Sequence, residues 1–265
     1  MQLNDKSITE TKPWQEKNIL LPRFNRAQVK QNTYQKPIWL HMGPGNIFRA
    51  FIARLQQQLL NSGVAERGII AVAPNSRTII EQVYAPFDNL SLLVTMYPDG
   101  TMEKEVIGSV TEALALLPNT ADWQRLEKII ASPTLQILSF TITEKGYTVK
   151  DAKGKLLPPV AADATNGPTK AQSFAGKLAA LLLVRFKAGA TPLTLLSLDN
   201  CSHNGAILQT TVVTMAKAWT EHNLVPKEFL TYVQNVITYP WSMIDKITPR
   251  PAPNVQNALQ AAGLT

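Results

Sequence analysis

The chain has 265 residues and a formal net charge of +7, with 45% hydrophobic and 17% charged residues. These values are typical of a globular protein with one large domain or two small ones. No apolar run is long enough to span a bilayer. The first 36 residues are polar and lack the apolar core of a signal peptide.

A single cysteine, Cys201, excludes an internal disulfide framework and a cysteine-rich zinc site. It fits a reducing compartment, so we expect a cytoplasmic protein. The three histidines, His41, His203 and His222, do not have metal-ligand spacing. We therefore expect no metal.

The lysines and arginines are scattered, without a basic run or an interleaved aromatic platform. This pattern favours a solvated basic surface over a nucleic-acid interface. It is also compatible with an anionic ligand, such as a phosphate-bearing cofactor or an acidic sugar. We expect a small-molecule partner, with neither nucleic acid nor membrane, and the oligomeric state stays open.

Taken in order, the chain begins with a polar lead-in over residues 1–36, for which one short helix or strand is expected. The apolar run 37–42 predicts a buried strand. A helix is expected over 47–61, with one apolar stripe, and a second strand over 68–73. Strand, helix and strand within about forty residues form a βαβ unit with parallel pairing and a right-handed crossover. The apolar stripe of the helix comprises Ile47, Phe51, Leu55 and Leu59.

Strands and helices continue to alternate, and Asp99-Gly100 indicates a hairpin turn. We conclude that the chain is an α/β protein with a Rossmann-type, doubly wound, mostly parallel sheet and hairpin insertions. A boundary is expected at Pro249–Pro253. The remaining predicted elements are strands 91–97 and 101–107, helices 110–117 and 121–131, strand 135–143, a hairpin over 147–157, a loop over 158–168, helix 173–188, strand 192–198, helices 204–222 and 226–234, strand 236–239 and helix 254–262.

The first strand ends in Gly43-Pro44-Gly45 and leads directly into a helix. Gly43 would make the turn, and Gly45 would let the backbone approach a pyrophosphate at the positive end of the helix dipole. The third glycine of the common fingerprint is missing. Taken alone, G-x-G is as compatible with a plain glycine-rich loop.

The second strand is followed by Pro74-Asn75-Ser76-Arg77, where an acidic residue usually holds the ribose of NAD. Asn75 and Ser76 could bind a ribose, and Arg77 could pair with a 2′-phosphate. An ordinary surface turn is the alternative. The choice between NAD and NADP is therefore open.

Three further polar clusters follow predicted strands, namely Glu144–Tyr147, Asp199-Asn200 and Asp245-Lys246. Each could be only a turn, a helix cap or a surface ion pair. Because the carboxyl ends of parallel strands share one edge, we expect all the clusters to converge on one site.

The ordered motifs resemble the polyol-specific long-chain dehydrogenases, a family that includes mannitol dehydrogenase and fructuronate reductase (D-mannonate oxidoreductase). The resemblance covers roughly residues 37–250. The motifs are Gly43–Ala50, Thr143–Tyr147, Asp199-Asn200 with Asn204-Gly205, and Ser242–Pro249.

The resemblance implies an N-terminal Rossmann domain that binds NAD(H), with NADP not excluded, and a helical C-terminal domain that closes the substrate cleft. Hydride passes between the nicotinamide and a secondary alcohol or ketone without a metal. Asn200 would polarise the carbonyl and orient the nicotinamide, and Asp245 would line the substrate pocket, so both are expected to bind substrate and serve catalysis. The expected cofactor contacts are Gly43, Gly45, Asn46, Ile47, Arg49, Asn75, Ser76, Arg77, Glu144, Lys145 and Asn200.

The chain departs from the family pattern in two places. Phe48 stands where a histidine is common. The K-x4-N-x2-H motif, which supplies the family's general acid/base lysine, is missing after Pro249. We therefore expect residues 37–250 to be the dinucleotide-binding domain and 251–265 to begin a linker to a missing helical domain.

On this view the chain binds cofactor but turns over poorly. The leading interpretation is an NAD-dependent sugar-acid or polyol oxidoreductase of the D-mannonate/D-fructuronate type. The alternatives are a mannitol 2-dehydrogenase and a non-catalytic dinucleotide-binding module.

Overall fold

The computed structural model describes residues 1–249, 253–261 and 263. The strands are β1 (Ile19–Leu20), β2 (Trp39–Met42), β3 (Ile69–Ala73), β4 (Ser91–Met96), β5 (Met102–Ile107), β6 (Val110–Ala115), β7 (Ile137–Phe140), β8 (Leu193–Ser197) and β9 (Ile237–Thr238). The α-helices are α1 (Thr11–Gln15), α2 (Arg26–Gln35), α3 (Ala53–Asn61), α4 (Ala121–Ala131), α5 (Glu144–Tyr147), α6 (Pro158–Asn166), α7 (Phe174–Lys187), α8 (Asn204–Glu221), α9 (Lys227–Asn235) and α10 (Pro253–Ala261).

The main sheet has six parallel strands in the order β6-β3-β2-β7-β8-β9. Counted along these strands alone, this order is 3-2-1-4-5-6, the doubly wound order of dinucleotide-binding folds. The chain leaves the central pair β2 and β7 in opposite directions. The predicted fold class is confirmed.

A smaller sheet has the order β1-β5-β4. It contains the predicted hairpin, in which β4 and β5 pair antiparallel and Met96 lies opposite Met102. Gly100 has a φ of +84° in the turn, a conformation that L side chains rarely adopt. The Asp-Gly signal is therefore confirmed.

Successive strand residues point to opposite faces of the main sheet, and both faces are covered by apolar clusters. Leu40 and Met42 of β2 pack into the larger core, together with residues of α4, α7, α8 and α9. His41 faces the other side, where Phe48, Ile52 and Tyr84 form a second apolar cluster. In the described part of the chain, no helix is both long and apolar enough to cross a membrane.

The prediction of a helix over 110–117 was wrong, since this segment is strand β6. Its alanines and leucines favour a helix by propensity, but pairing with β3 buries them at the sheet margin and decides the outcome. The predicted loop over 158–168 was also wrong. Pro158 and Pro159 occupy the first turn of α6, where a missing N–H costs nothing, and Gly167 follows its last residue.

The apolar stripe predicted for the helix after β2 was wrong as well. Leu55 and Leu59 are 44% and 43% exposed, whereas Gln56 and Gln57 are buried. The Gln57 side chain donates to the Val106 carbonyl at 2.9 Å and accepts from the Gly108 amide at 2.6 Å. Because hydrogen bonds satisfy these amides, the buried face carries polar residues that an apolar count misses. This helix also begins with a π-helical stretch, Phe48–Ile52, before α3.

The polar lead-in over residues 1–36 has more structure than predicted, because it contains α1, β1 and α2. Its buried hydrophobic residues are Trp14, Ile19 and Val29, and Leu20 is exposed. The hairpin expected over 147–157 is reduced to a single antiparallel bridge between Lys150 and Leu156. The predicted boundary at Pro249–Pro253 includes residues 250–252, which lie outside the described residues. Residues 262, 264 and 265 of the predicted linker 251–265 also lie outside them.

Candidate functional site

The candidate site lies at the carboxyl edge of the main sheet, where the strand order reverses between β2 and β7. In doubly wound sheets ligands bind outside the carboxyl ends of the strands at this crevice. The segments that follow β2, β3, β7 and β8 all carry polar residues singled out from the sequence. The parallel pairing brings these clusters to one edge.

Gly43 makes the turn at the end of β2. Its φ is +103°, and a Cβ there would stand 2.1 Å from the carbonyl oxygen of Thr141, which follows β7. Its amide donates to the Val72 carbonyl of β3 at 3.0 Å. The glycine is therefore required by the close approach of three neighbouring strand ends.

His41 lies beneath this turn and is fully buried. Its Nδ1 is 2.8 Å from the Ser139 hydroxyl and its Nε2 is 2.9 Å from the Thr141 hydroxyl. Phe48 stacks on the imidazole with ring centres 4.1 Å apart. Burial lowers the pKa of His41 to about 3, so the ring is neutral at pH 7. His41 supports the turn as a packed core residue.

Gly45 has space for a ligand beside it. Among the described residues, none beyond its chain neighbours places a heavy atom within 4 Å of the position that a Cβ would take. The Arg49 Nη2 donates to the Asn46 side-chain oxygen at 2.5 Å, so these two residues form one polar group at the helix start. The turn is braced by the Tyr84 hydroxyl, which donates to the Pro44 carbonyl at 2.9 Å. This open cradle at a helix N-terminus fits a dinucleotide pyrophosphate.

The loop after β3 exposes Asn75 and Ser76. Arg77, however, is already paired, since its Nη1 lies 2.6 Å from the Asp122 Oδ2 and its Nε lies 3.4 Å from the Glu81 carboxylate. The hydrogen bond that the Arg77 guanidinium donates to Asp122 raises the pKa of Arg77. The sequence pattern gave no indication of Asp122, which lies 45 residues further along the chain.

Lys177, near the start of α7, is a second residue that the sequence did not indicate. It is buried, and its ammonium donates to the carbonyls of Pro74 at 3.2 Å and Leu116 at 3.1 Å. Burial lowers the pKa of Lys177, while Asp163 opposes this effect. The ammonium thereby joins the loop after β3 to the end of β6.

Asp199 holds the segment after β7 against the end of β8. Its carboxylate accepts from the Ile142 and Thr143 amides, both at 3.0 Å, and from the Tyr147 hydroxyl at 2.5 Å. Thr143 takes the left-handed conformation here, with a φ of +67°. This arrangement leads into α5, where Glu144 and Lys145 are exposed, and Asn200 is exposed beside Asp199.

Asn204, at the start of α8, fixes the segment after β9. Its side chain donates to the carbonyls of Asp199 at 3.0 Å and Ser242 at 2.9 Å, and it accepts from the Ser242 amide at 3.1 Å. Gly205 permits this contact, since a Cβ there would stand 2.4 Å from the Tyr239 carbonyl oxygen. The Asn-Gly pair therefore acts as a clamp on residues 239–242.

Beyond this clamp the chain reaches the helix that follows β2, where the Lys246 ammonium lies 5.5 Å from the Phe51 ring centre. Asp245, which is exposed, thus follows a segment fixed at the end of β8 and precedes a residue that lies beside the helix after the glycine turn. In the part of the chain that the structure describes, no three His, Cys, Asp or Glu side chains group in a way that could hold a metal ion.

Comparison with known proteins assigns the family. The chain matches the mannitol dehydrogenase Rossmann domain over residues 37–262. It belongs to this family. The resemblance inferred from the motifs is confirmed, and the match begins at the residue where the glycine-turn strand was predicted to start.

Individual relatives match all or nearly all of the chain. D-mannonate oxidoreductase of Thermotoga maritima is 44% identical over 264 residues, which are 100% of this chain and 49% of that protein. Mannitol 2-dehydrogenase of Cereibacter sphaeroides is 33% identical over 254 residues, which are 94% of this chain and 49% of that protein. The chain thus spans about half the length of these relatives.

The fold agrees with a solved structure, the mannitol 2-dehydrogenase of Pseudomonas fluorescens in a ternary complex with NAD and D-mannitol. The TM-score is 0.82 at 28% identity, and the match covers 100% of this chain and 51% of that chain.

Proposed function

We propose that this chain is the cofactor-binding part of an NAD-dependent oxidoreductase that acts on a sugar acid or polyol, of the D-mannonate/D-fructuronate type. The observation that carries the proposal is the open glycine turn at the point where the strand order reverses. NAD, when bound, accepts or delivers a hydride at its nicotinamide. Side chains of the protein must bind and orient the cofactor and the substrate, and they must move a proton.

The pyrophosphate would lie against Gly45, Asn46, Ile47 and Arg49, where backbone N–H groups and the helix dipole favour an anion. Gly43 would shape the turn, and Asn75 and Ser76 would hold the adenosine ribose. The exposed polar groups of Glu144, Lys145 and Asn200 lie along the same edge, on the side of β7 and β8. They would orient the nicotinamide half.

Asn200 and Asp245 are the proposed substrate contacts. Asn200 follows Asp199, whose carboxylate is fixed by three hydrogen bonds, so its backbone is positioned before any ligand binds. An amide donor at this point would polarise a carbonyl, and Asp245 would accept from a sugar hydroxyl. Oxidation of an alcohol also releases the hydroxyl proton, which requires a general base.

The residues proposed above bind and orient, and none of them is assigned as this general base. General acid–base help contributes about 10²–10⁴-fold to a rate. We therefore expect these 265 residues, tested alone, to bind cofactor and to turn over slowly. Cytoplasmic location also stays a prediction.

A titration of the chain with NADH, followed by nicotinamide fluorescence, tests the proposal. We expect saturable binding with a Kd on the order of micromolar, and loss of binding in Gly45→Asp, which puts a carboxylate into the open cradle. The matched control is Gln58→Asp. It adds the same charge to an exposed position on the same helix, about 20 Å further along it.

Equal weakening by both substitutions would mean that charge alone matters, and the glycine-turn assignment would be wrong. A folded wild-type chain that binds neither NADH nor NADPH would refute the proposal.

Two observations support a sugar acid as the substrate. The 44% identical relative is named for D-mannonate, and the +7 charge suits an acidic sugar. Mannitol is the second candidate, since the solved neighbour holds D-mannitol. Slow NADH oxidation with D-fructuronate but not with D-fructose would support the sugar acid, and the reverse would support mannitol. NADH binding without either activity would favour a non-catalytic module.

A further inference from the structure

Arg77 is the only positively charged residue in the loop after β3, residues 74–79. In the structure its guanidinium is paired with two carboxylates. Its guanidinium lies 2.6 Å from the Asp122 carboxylate and 3.4 Å from that of Glu81. In dinucleotide-binding sheets, the residues after the second strand contact the 2′-hydroxyl or 2′-phosphate of the adenosine ribose. The group that could receive a 2′-phosphate is thus bound to carboxylates of the same chain.

The Asp122 carboxylate is fixed more firmly than its partner. The Oδ2 that pairs with Arg77 also accepts from the Ala115 amide at 2.8 Å, and the side chain is 14% exposed against 44% for Arg77. Ala115 is the last residue of β6 and lies opposite Ala73, the last residue of β3. Asp122 therefore stays beside the loop whether or not Arg77 moves.

The base of the loop is held in the same way. The buried Lys177 ammonium donates to Pro74 in the loop and to Leu116 after β6, so the two strand ends cannot separate without loss of at least one of these bonds. Such a pre-formed arrangement keeps the ion pair at the ribose position instead of allowing the loop to withdraw from Asp122.

We propose that Asp122 makes this site select NADH over NADPH by occupying Arg77. The inference rests on the proposed function. A 2′-phosphate carries nearly two negative charges. It would therefore meet two carboxylates and have to displace Asp122 from the guanidinium. A 2′-hydroxyl is neutral and avoids both costs. Asp122, the residue that would set the cofactor specificity, thus lies outside the loop after β3, which usually contains such a residue.

The experiment is a Kd determination by calorimetric titration of NADH and NADPH against wild type, Asp122→Asn, Arg77→Ala and the double variant. Asn keeps an oxygen for the Ala115 amide but removes the charge. We expect wild type to bind NADH more tightly. In Asp122→Asn, the Kd for NADPH should fall by about fivefold or more, the size of a half-exposed ion pair. NADH binding should stay within about twofold, and the double variant should lose the NADPH gain.

Glu81→Gln is the matched charge control. Glu81 also faces Arg77 but at 3.4 Å and with 64% exposure, so we expect a gain for NADPH below about twofold. An equal gain in Glu81→Gln and Asp122→Asn would indicate a long-range charge effect and overturn the role of Asp122. Asp122→Ser is a second neutral variant, should the amide destabilise the start of α4.

Three results separate this inference from the proposed function. If wild type prefers NADH but neither neutral variant changes the NADPH/NADH ratio, the inference is overturned and the function stands. If wild type prefers NADPH, the inference is overturned and the proposed cofactor changes to NADP, while the dinucleotide site at the glycine turn stands. If a folded wild-type chain binds neither dinucleotide, the function fails and the inference fails with it.

Discussion

Gly43 and Thr141 approach each other so closely that a Cβ on the glycine would stand 2.1 Å from the threonine carbonyl oxygen. The Thr141 hydroxyl in turn donates to the Gly43 carbonyl at 2.7 Å. These residues directly follow β2 and β7, the two strands between which the strand order reverses. The contact therefore fixes the crevice at which a dinucleotide would bind.

Gly43→Ala is expected to destabilise the protein. The side chain would clash with backbone that belongs to a neighbouring strand, and a φ of +103° is strained for any L residue. We expect a loss of roughly 2–4 kcal/mol in the free energy of unfolding. Urea denaturation of wild type and variant measures it.

Gly45→Ala provides the contrast two residues away. Space is open beside Gly45, so we expect its free energy of unfolding to change by less than about 1 kcal/mol, while NADH binding weakens. Similar destabilisation by both alanines would mean that the crevice is not fixed by the Gly43–Thr141 contact.

Much of the fold could be predicted from sequence because long apolar runs and turn residues agree with their tertiary setting. The strand at 37–42, the helix at 121–131 and the Asp-Gly hairpin are examples. The prediction of a helix over 110–117 was wrong because pairing with β3 places these helix-forming residues in a strand. The prediction of a loop over 158–168 was wrong because its first two prolines begin a helix.

The positions of the site clusters could be predicted from the strand ends, but their contacts could not. Asp122 reaches Arg77 from α4, and Lys177 reaches Pro74 from α7. No local pattern encodes such pairs. The buried Gln57 shows the same limit, because its hydrogen bonds come from residues around position 107.

His41 should make the stability depend on pH. Burial lowers its folded-state pKa to about 3, against 6.5 in the unfolded chain. The unfolded chain therefore binds more protons between these values, and stability falls as the pH drops below about 6.5. The slope for this group approaches 1.4 kcal/mol per pH unit and vanishes above pH 6.5.

Urea denaturation at pH 4.5, 5.5 and 7.0 checks this dependence. His41→Gln should flatten the decline, whereas His222→Gln, at an exposed position, should retain it. An unchanged slope in His41→Gln would assign the acid sensitivity to other groups.

Asp199→Asn should weaken NADH binding. The amide offers one oxygen where the carboxylate accepts from two backbone amides and the Tyr147 hydroxyl, so the segment leading to Glu144 loses its anchor. We expect the Kd to rise on the order of tenfold, about 1.4 kcal/mol. Tyr147→Phe removes a single donor from the same carboxylate and should cost less. A larger loss in Tyr147→Phe would contradict the role given to Asp199.

Asn204→Ala should release the segment that contains Asp245. The asparagine side chain makes three hydrogen bonds to the backbone of Asp199 and Ser242, whereas within α8 it accepts only from the Gly205 amide at 2.8 Å. We expect amide exchange in residues 239–245 to accelerate by about tenfold or more, with a smaller change in α8. Thr210→Ala is the control, because the Thr210 hydroxyl bonds only to the Ala206 carbonyl of its own helix. If both variants leave exchange at 239–245 unchanged, the segment is held by packing of Trp241 and Tyr239 on Gly205 instead, and Gly205→Ala would then be the substitution that releases it.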